Sequence, residues 1–287
     1  MNNNRSNVEN SKIAEVLSFF NLGTPTKVVP ITNGLGNQSY IVTTSQIDFV
    51  VKFLVTQKTV GIENDVAIQQ QLNQINIRTP IYIANNSGQY VYTNELLQAV
   101  ISKKIEGVTP EFANKNLAYA IGKTLALFHK FVIALPHPLK GWMDPGIYDI
   151  NTEESRALFS VSLPKGITHG DMHLENVLVN PKKPGNILAV IDFEEVGEDL
   201  FLIDLTRSIL GVCHSEDGNS LVPELVDAEI QGYESVRKLT QSEKVLFPQA
   251  MKYTTDVCIK WFIDHGYERY VEEHRRRVKS FKMPNMD

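Results

Sequence analysis

The sequence predicts an α+β protein built in two parts, and three observations carry that expectation. Up to about residue 106, short runs rich in β-branched and aromatic residues alternate with turn residues, with two helical stretches among them. Beyond Asp204 nearly every segment repeats apolar residues at helical spacing. Between these regions, from Thr168 to Asn176, acidic, amide and imidazole side chains crowd a stretch flanked by β-type runs. Strands first and helices afterwards fit an α+β architecture. The boundary lies near Gly107, within Glu106-Gly107-Val108-Thr109-Pro110, where the character of the chain changes.

Asn10 to Phe20 spaces Ile13, Val16, Leu17 and Phe20 for one helical face, with Ser11 as cap and Gly23 beyond its end. Lys27 to Ile31, Tyr40 to Thr44 and Asp48 to Val55 read as strands. Ile62 to Ile75 switches to a helical pattern, closed by Arg78-Thr79-Pro80. Ile81 to Ala84, Gln89 to Thr93 and Ala99 to Ile105 supply two or three further strands. A long amphipathic helix then runs from Glu111 to Phe131, with Leu117, Ile121, Leu125 and Phe128 on one face. A loop rich in Pro and Gly follows, from Pro136 to Gly146. Val177 to Val179 and Ile187 to Ile191 pair as a hairpin around Asn180 to Asn186, which is turn chemistry. Helices are expected over Leu202 to Gly211, Leu221 to Tyr233, Gln241 to His265 and Glu268 to Phe281.

Composition narrows the function. No apolar run is long enough to cross a membrane, and the first residues lack the apolar core of a secretion signal. Cys213 and Cys258 form neither a disulfide framework nor a metal-ligand spacing, so a cytoplasmic setting is expected. The net charge of −5 argues against nucleic acid as a partner. The basic cluster of Arg275, Arg276 and Arg277 with Lys279 and Lys282 reads as a solvated helix face.

The candidate chemistry lies in the polar stretch. Asp192 closes an Ile- and Val-rich run, where a carboxylate is costly to bury unless it meets a cation or donors. Pairing of the hairpin brings Asn176 and Asp192 side by side, an oxygen-donor pair suited to Mg²⁺ carrying nucleotide phosphates. Asp171 is left as a base close to that metal, which is the division of labour phosphoryl transfer needs. Lys52, inside Phe49 to Val55, needs a counter-ion if it points inward. Glu63 by residue type, or Asp65 by its spacing from Ile68 and Leu72, supplies one; a solvated Lys52 face is the alternative. Gly34 and Gly36 in Asn33-Gly34-Leu35-Gly36-Asn37-Gln38-Ser39 allow close backbone approach to a phosphate, although a plain hairpin turn is equally compatible. The third glycine of a kinase-type loop is missing, with Ser39 near its place, and no Walker A signature follows. His129 reads as a packed, hydrogen-bonded residue. A competing chemistry sets His169 and His173 with Asp171 as zinc ligands of a hydrolase, though no further cluster with ligand spacing supports it.

These residues resemble a known family. His169-Gly170-Asp171, Asn176, then Ile191-Asp192-Phe193 and Asp204-Leu205 are similar to the aminoglycoside phosphotransferase and choline kinase group of small-molecule kinases. Asn33 to Val42 resembles its nucleotide loop, Val50 to Phe53 its lysine strand and Leu125 to His129 its leucine-and-histidine helix. The resemblance implies a two-lobed protein-kinase-like fold, with residues 1–106 as the nucleotide-binding lobe and 107–287 as the catalytic and acceptor-binding helical lobe. It implies Asp171 as catalytic base, Asn176 and Asp192 on Mg²⁺, and Lys52 on the α- and β-phosphates of ATP. Gly34, Gly36, Asn37 and Ser39 would line the nucleotide, while His169 and Asp204 would support the loop. His173, Glu175, Glu194 and Glu195, with Asp199 nearby, fall where a small hydroxylated acceptor would approach. Glu194 follows Phe193 where protein kinases have glycine, which argues against a protein substrate.

The stretch from Gly232 to Thr240 and the Asn33 to Thr44 region resemble the homoserine kinases of this fold, making homoserine the leading acceptor. Those kinases often carry Ala at the place of Gly170 and an Arg-Asp pair at Leu174 and Glu175. Aminoglycosides, choline or ethanolamine are alternative acceptors, and a nucleotide-binding module without turnover is the non-enzymatic alternative. The expected state is a monomer or homodimer.

Overall fold

The computed structural model describes residues 10–32, 37–45, 47–54, 59–131, 135, 137 and 152–284. The chain divides into two compact units, one ending at Glu106 and taking in Leu135 and His137, the other beginning at Gly107.

The first unit is a five-stranded antiparallel sheet with a helix on each face. Its elements are α1 (Asn10–Phe19), β1 (Lys27–Ile31), β2 (Gln38–Thr43), β3 (Asp48–Leu54), α2 (Thr59–Gln74), β4 (Tyr92–Thr93) and β5 (Gln98–Lys103). The strand order is β1-β2-β3-β5-β4. Alternation along β3 explains the two faces. Phe49, Val51 and Phe53 point to α1, packing with Ile13, Val16 and Leu17, while Val100 of β5 turns to Ile62 and Val66 of α2. Each fully buried aliphatic or aromatic side chain of this kind contributes roughly 1.5–3 kcal/mol.

Three local expectations need correction in this unit. Ser11 lies within α1, which begins at Asn10, so it does not cap the helix. Ile81 to Ala84 forms only an isolated bridge, Tyr82 to Ser102, because the chain turns at once. The Asn85 side chain accepts the N–H groups of Ser87 and Gln89, favouring that turn over an extended run. Gln89 to Thr93 likewise keeps only the two residues of β4 as strand.

The second unit is mainly helical. It comprises α3 (Lys115–Lys130), α4 (Glu153–Phe159), β6 (Lys165–Thr168), a 3₁₀ turn (Leu174–Asn176), β7 (Val177–Asn180), β8 (Lys183–Val190), β9 (Gly197–Leu200), α5 (Phe201–Val212), α6 (Pro223–Glu234), α7 (Gln241–Asp264) and α8 (Glu268–Ser280). α3 starts later than its apolar pattern implies, because Pro110 precedes it and the Asn114 side chain caps it by accepting the Leu117 N–H. α4 is short and was not legible as a separate helix; a Thr152–Ser155 capping box sets its start. β8 begins at Lys183, inside the segment read as turn. The tight turn is closed by the Asn180 side chain, which accepts the Lys182 N–H, and irregular register absorbs the following residues.

Two features position the polar stretch. The β6–β9 ribbon pairs Thr168 with Gly197 and delivers the chain to His169 beside the start of α5. α3 and α6 cross so closely that a Cβ on Gly122 would lie 2.0 Å from the Glu229 carbonyl oxygen, and one on Gly232 equally close to that of Tyr119. Only glycine permits that approach, which brings His129 and Tyr233 into hydrogen-bonding distance.

The basic cluster is not a uniformly solvated face. Arg275 and Arg276 are exposed, whereas Arg277 is buried. Its guanidinium donates to the carbonyls of Leu210 and Gly218 and lies 3.7 Å from Glu273. It thereby serves backbone acceptors at the end of α5 and in the following turn.

Candidate active site

The polar stretch is organised by one carboxylate from below and presents another above. Asp204 stands in the first turn of α5 and is buried. Its two oxygens accept the backbone N–H groups of His169 and Gly170, each at 2.9 Å, and His129 Nε2 at 2.8 Å. Burial opposes the charge of Asp204, but the His129 hydrogen bond and the backbone donors outweigh it and hold the carboxyl below its usual range. His129 is pushed down by burial, so it is the neutral imidazole that donates to Asp204. Its Nδ1 then accepts from the Tyr233 hydroxyl at 2.7 Å, and Tyr233 in turn accepts from Arg237, which is bonded to Glu243 at the start of α7. A continuous buried chain of donors and acceptors therefore anchors the loop to α3, α5, α6 and α7.

Gly170 adopts a φ of 76°, a left-handed conformation that favours glycine. The turn aims the next residue, Asp171, away from the brace. Asp171 remains about a third exposed (31%). Asn176 Nδ2 donates to its carbonyl at 2.8 Å and to Oδ2 at 3.0 Å. His173 Nε2 lies 3.2 Å from Oδ2, and Arg207 Nη2 donates to Oδ1 at 3.1 Å. Burial alone would raise the Asp171 pKa; the positive charge of His173 and Arg207 reverses this and keeps the carboxyl well below the usual carboxylate range.

The amide nitrogen of Asn176 is committed to Asp171, so its oxygen is the atom presented on the other side. The backbone of Asn176 accepts the Ile191 N–H, extending the β7–β8 pairing by one step, so that Ile191 stands opposite Asn176 and Asp192 follows one residue beyond. Asp192 has a φ of 63°, uncommon for a non-glycine residue and a mark of imposed local conformation. An amide oxygen and a carboxylate are the hard donors that a divalent cation such as Mg²⁺ takes. The residues fit such an ion.

The remaining candidates separate clearly. His169 is buried between Phe128 and Phe193, and its Nδ1 accepts the Asp171 N–H. That engagement takes it out of a zinc set, and among the described residues no three His, Cys, Asp or Glu side chains gather as metal ligands. In its neutral form His173 caps the 3₁₀ turn by accepting the Glu175 N–H on Nδ1, a bond its protonation gives up, and Glu175 is exposed. Glu194 and Glu195 are half-buried, and Glu195 is pushed up to about 7 by burial, with Asp171, Glu194 and Asp192 adding to the effect against Arg207. Asp199 is a correction: it is buried in β9, where its carboxylate accepts the Leu200 N–H, so it is not an exposed acceptor contact.

In the first unit Lys52 lies on the α2 side of the sheet, opposite Ser39 on one neighbour and Val100 on the other. Glu63 is exposed and hydrogen-bonded to His137, whereas Asp65 is buried. Asn37 precedes β2 and is half-buried. Gly34 and Gly36 lie outside the described residues.

Arg207 is the site residue that sequence reasoning missed. A signal existed: it follows Asp204 by three positions, which puts both on one face of α5.

The sequence profile of the APH phosphotransferase enzyme family matches residues 27–239. Curated relatives include the homoserine kinases of Gluconobacter oxydans, 24% identical with 81% of this chain and 80% of that protein covered, and of Polaromonas naphthalenivorans, 26% identical with 82% and 81% covered. Among solved structures, a microcompartment-associated aminopropanol kinase superposes with a TM-score of 0.68 at 14% identity, covering 94% of this chain and 100% of that one. A spectinomycin phosphotransferase in complex with ADP and spectinomycin gives 0.64 at 12% identity, covering 96% of each chain. The two-lobed protein-kinase-like fold expected from the sequence is thereby borne out.

Proposed function

The chain belongs to the APH phosphotransferase enzyme family of small-molecule kinases, and from that premise we propose that it transfers the γ-phosphate of ATP to the hydroxyl of a small amine-bearing acceptor, homoserine foremost. The observation that carries this reading is the Asp171 carboxylate, partly exposed and oriented by Asn176. In this assignment Asp171 receives the acceptor's hydroxyl proton as the phosphoryl group moves in line. Asn176 and Asp192 bind Mg²⁺, which when bound neutralises phosphate charge. Lys52 binds the α- and β-phosphates with Asp65 as its counter-ion, since Glu63 is exposed and engaged elsewhere. Gly34, Gly36, Asn37 and Ser39 cover the nucleotide, so residues 1–106 bind ATP and 107–287 carry catalysis and acceptor recognition. Asp204 and His169 position the loop without touching substrate.

Nucleotide use is supported by related folds solved with ADP or GDP, and homoserine by the names of the curated relatives. Amino alcohols and aminoglycosides are the competing acceptors, because structural neighbours are named for them. A panel of homoserine, choline, ethanolamine, 3-aminopropan-1-ol, methylthioribose and aminoglycosides, followed by ADP release and product mass, decides the acceptor. A phosphorylated homoserine as the best product is expected. ADP release no faster than with enzyme alone, for every acceptor, removes the reading.

A further inference from the structure

Arg207 sits directly on the carboxylate proposed as the base. Its Nη2 donates to Asp171 Oδ1 at 3.1 Å, on the carboxylate that must take up the acceptor's proton. The side chain is 17% exposed, so solvent or a ligand reaches it. Beside it lies a small void of about 20 Å³, lined by Ile203, Tyr253, Val257 and Cys258 and also by the buried Asp199 and Asp204, and large enough for about one water. Asp171 is engaged at once by a guanidinium and by the His173 imidazole, one on each carboxylate oxygen.

We infer that Arg207 binds a carboxylate of the acceptor and releases Asp171 as it does so. The inference rests on the kinase reading and adds to it the chemical class of the acceptor: a small hydroxy acid. An incoming carboxylate offers Arg207 a bond of the same kind as the one it gives up. Asp171 Oδ1 is then free of the guanidinium and faces the acceptor hydroxyl. A cationic amino alcohol or aminoglycoside without a carboxylate makes no such exchange, and its ammonium groups meet like charge at Arg207. The geometry also limits size. Hydrogen bonds of ordinary length at both ends, across the Arg207–Asp171 contact, keep the acceptor's hydroxyl and carboxylate within roughly 9 Å. An amino acid with a side-chain hydroxyl meets these conditions. The acidic neighbour Glu195 is a weaker competitor for Arg207 than a fully ionised carboxylate, because burial pushes it up to about 7.

The test uses the full chain with Mg-ATP and two acceptors that differ only by the carboxylate, homoserine and 3-aminopropan-1-ol. Wild-type kcat/KM is expected to favour homoserine by at least ~10²-fold, the discrimination a site shows when an anchoring polar group goes unpaired. In Arg207→Met that ratio should collapse toward one, mainly through a raised homoserine KM; Arg207→Lys should recover part of it. A residue that only shapes the loop would slow both acceptors alike, and that result overturns the inference. So does a wild type that turns over the two acceptors equally well, a comparison that needs no variant to fold. Transfer that ignores the carboxylate leaves the kinase reading standing, whereas transfer to no hydroxyl compound at all overturns both.

Discussion

Two Asp–His pairs lie within one loop's reach and behave in opposite ways. Asp204 and His129 meet at 2.8 Å with side chains 1% and 0% exposed; Asp171 and His173 meet at 3.2 Å with 31% and 29% exposed. In the first pair burial dominates: His129 is driven neutral, and the carboxylate is saturated by two backbone N–H groups and the imidazole. Every lone pair with a donor is committed, so the pair holds shape. In the second, burial also opposes charge, but the Asp171 carboxylate raises the His173 pKa and is itself kept ionised. Identical residue types thus become a brace or a reactive group, depending on whether the protein or the solvent fills their remaining valences.

Removing each carboxylate is the strongest way to break that comparison. Asp204→Ala strands two buried N–H donors and an imidazole, and should cost about 3–5 kcal/mol of unfolding free energy in urea titration. Asp171→Ala should cost less than about 1 kcal/mol, because exposure and salt screening limit what its ion pairs contribute. Equal losses would show that the two pairs do not divide labour.

A third carboxylate sharpens the point. Glu229 in α6 is fully buried and, among the described residues, accepts from Ser208 Oγ and Cys213 Sγ and meets no cation. Burial pushes it up to about 7. Its folded pKa lies above its unfolded one, so the folded state keeps a proton that the unfolded state gives up as pH rises through about 4.5. Stability should therefore fall between about pH 4.5 and 7, by about 3 kcal/mol in all. In Glu229→Gln the decline attributable to this group should vanish; an unchanged pH profile would contradict it.

Histidine titration followed by NMR gives the smallest but most local contrast. His129, depressed by burial, should titrate below pH 6.5, and its contribution to stability is present above that pH and lost as pH falls. His173, raised by Asp171, should titrate above 6.5, with its contribution present at lower pH and lost as pH rises through its folded value. Two histidines titrating together would erase the distinction.

How much of this was legible in the chain depends on how local each cause is. The strands β1 to β3 and helices α5 to α8 follow from periodicity within a few residues of their ends. The β7–β8 hairpin was readable because a turn and strand pairing are short-range, although the register sets Ile191, not Asp192, opposite Asn176. α4 was hidden because seven residues give too little periodicity. Arg207, buried Arg277 and Glu229 were hidden for another reason: their partners, Asp171, Leu210 and Cys213, come from elsewhere in the fold, and no local pattern distinguishes them from surface charges. The glycine pair Gly122 and Gly232 is equally opaque until two helices are laid across each other.

The proposed division, in which Asp171 takes the proton while Asp204 only holds the loop, is tested most directly by steady-state turnover of Asp171→Asn with saturating Mg-ATP and the best acceptor, alongside the melting temperature and Mg-ATP affinity of the same preparation. The expected result is a kcat lower by at least ~10²-fold with melting temperature and nucleotide binding essentially unchanged. A folded Asp171→Asn protein that binds Mg-ATP and turns over within a few-fold of wild type would contradict it.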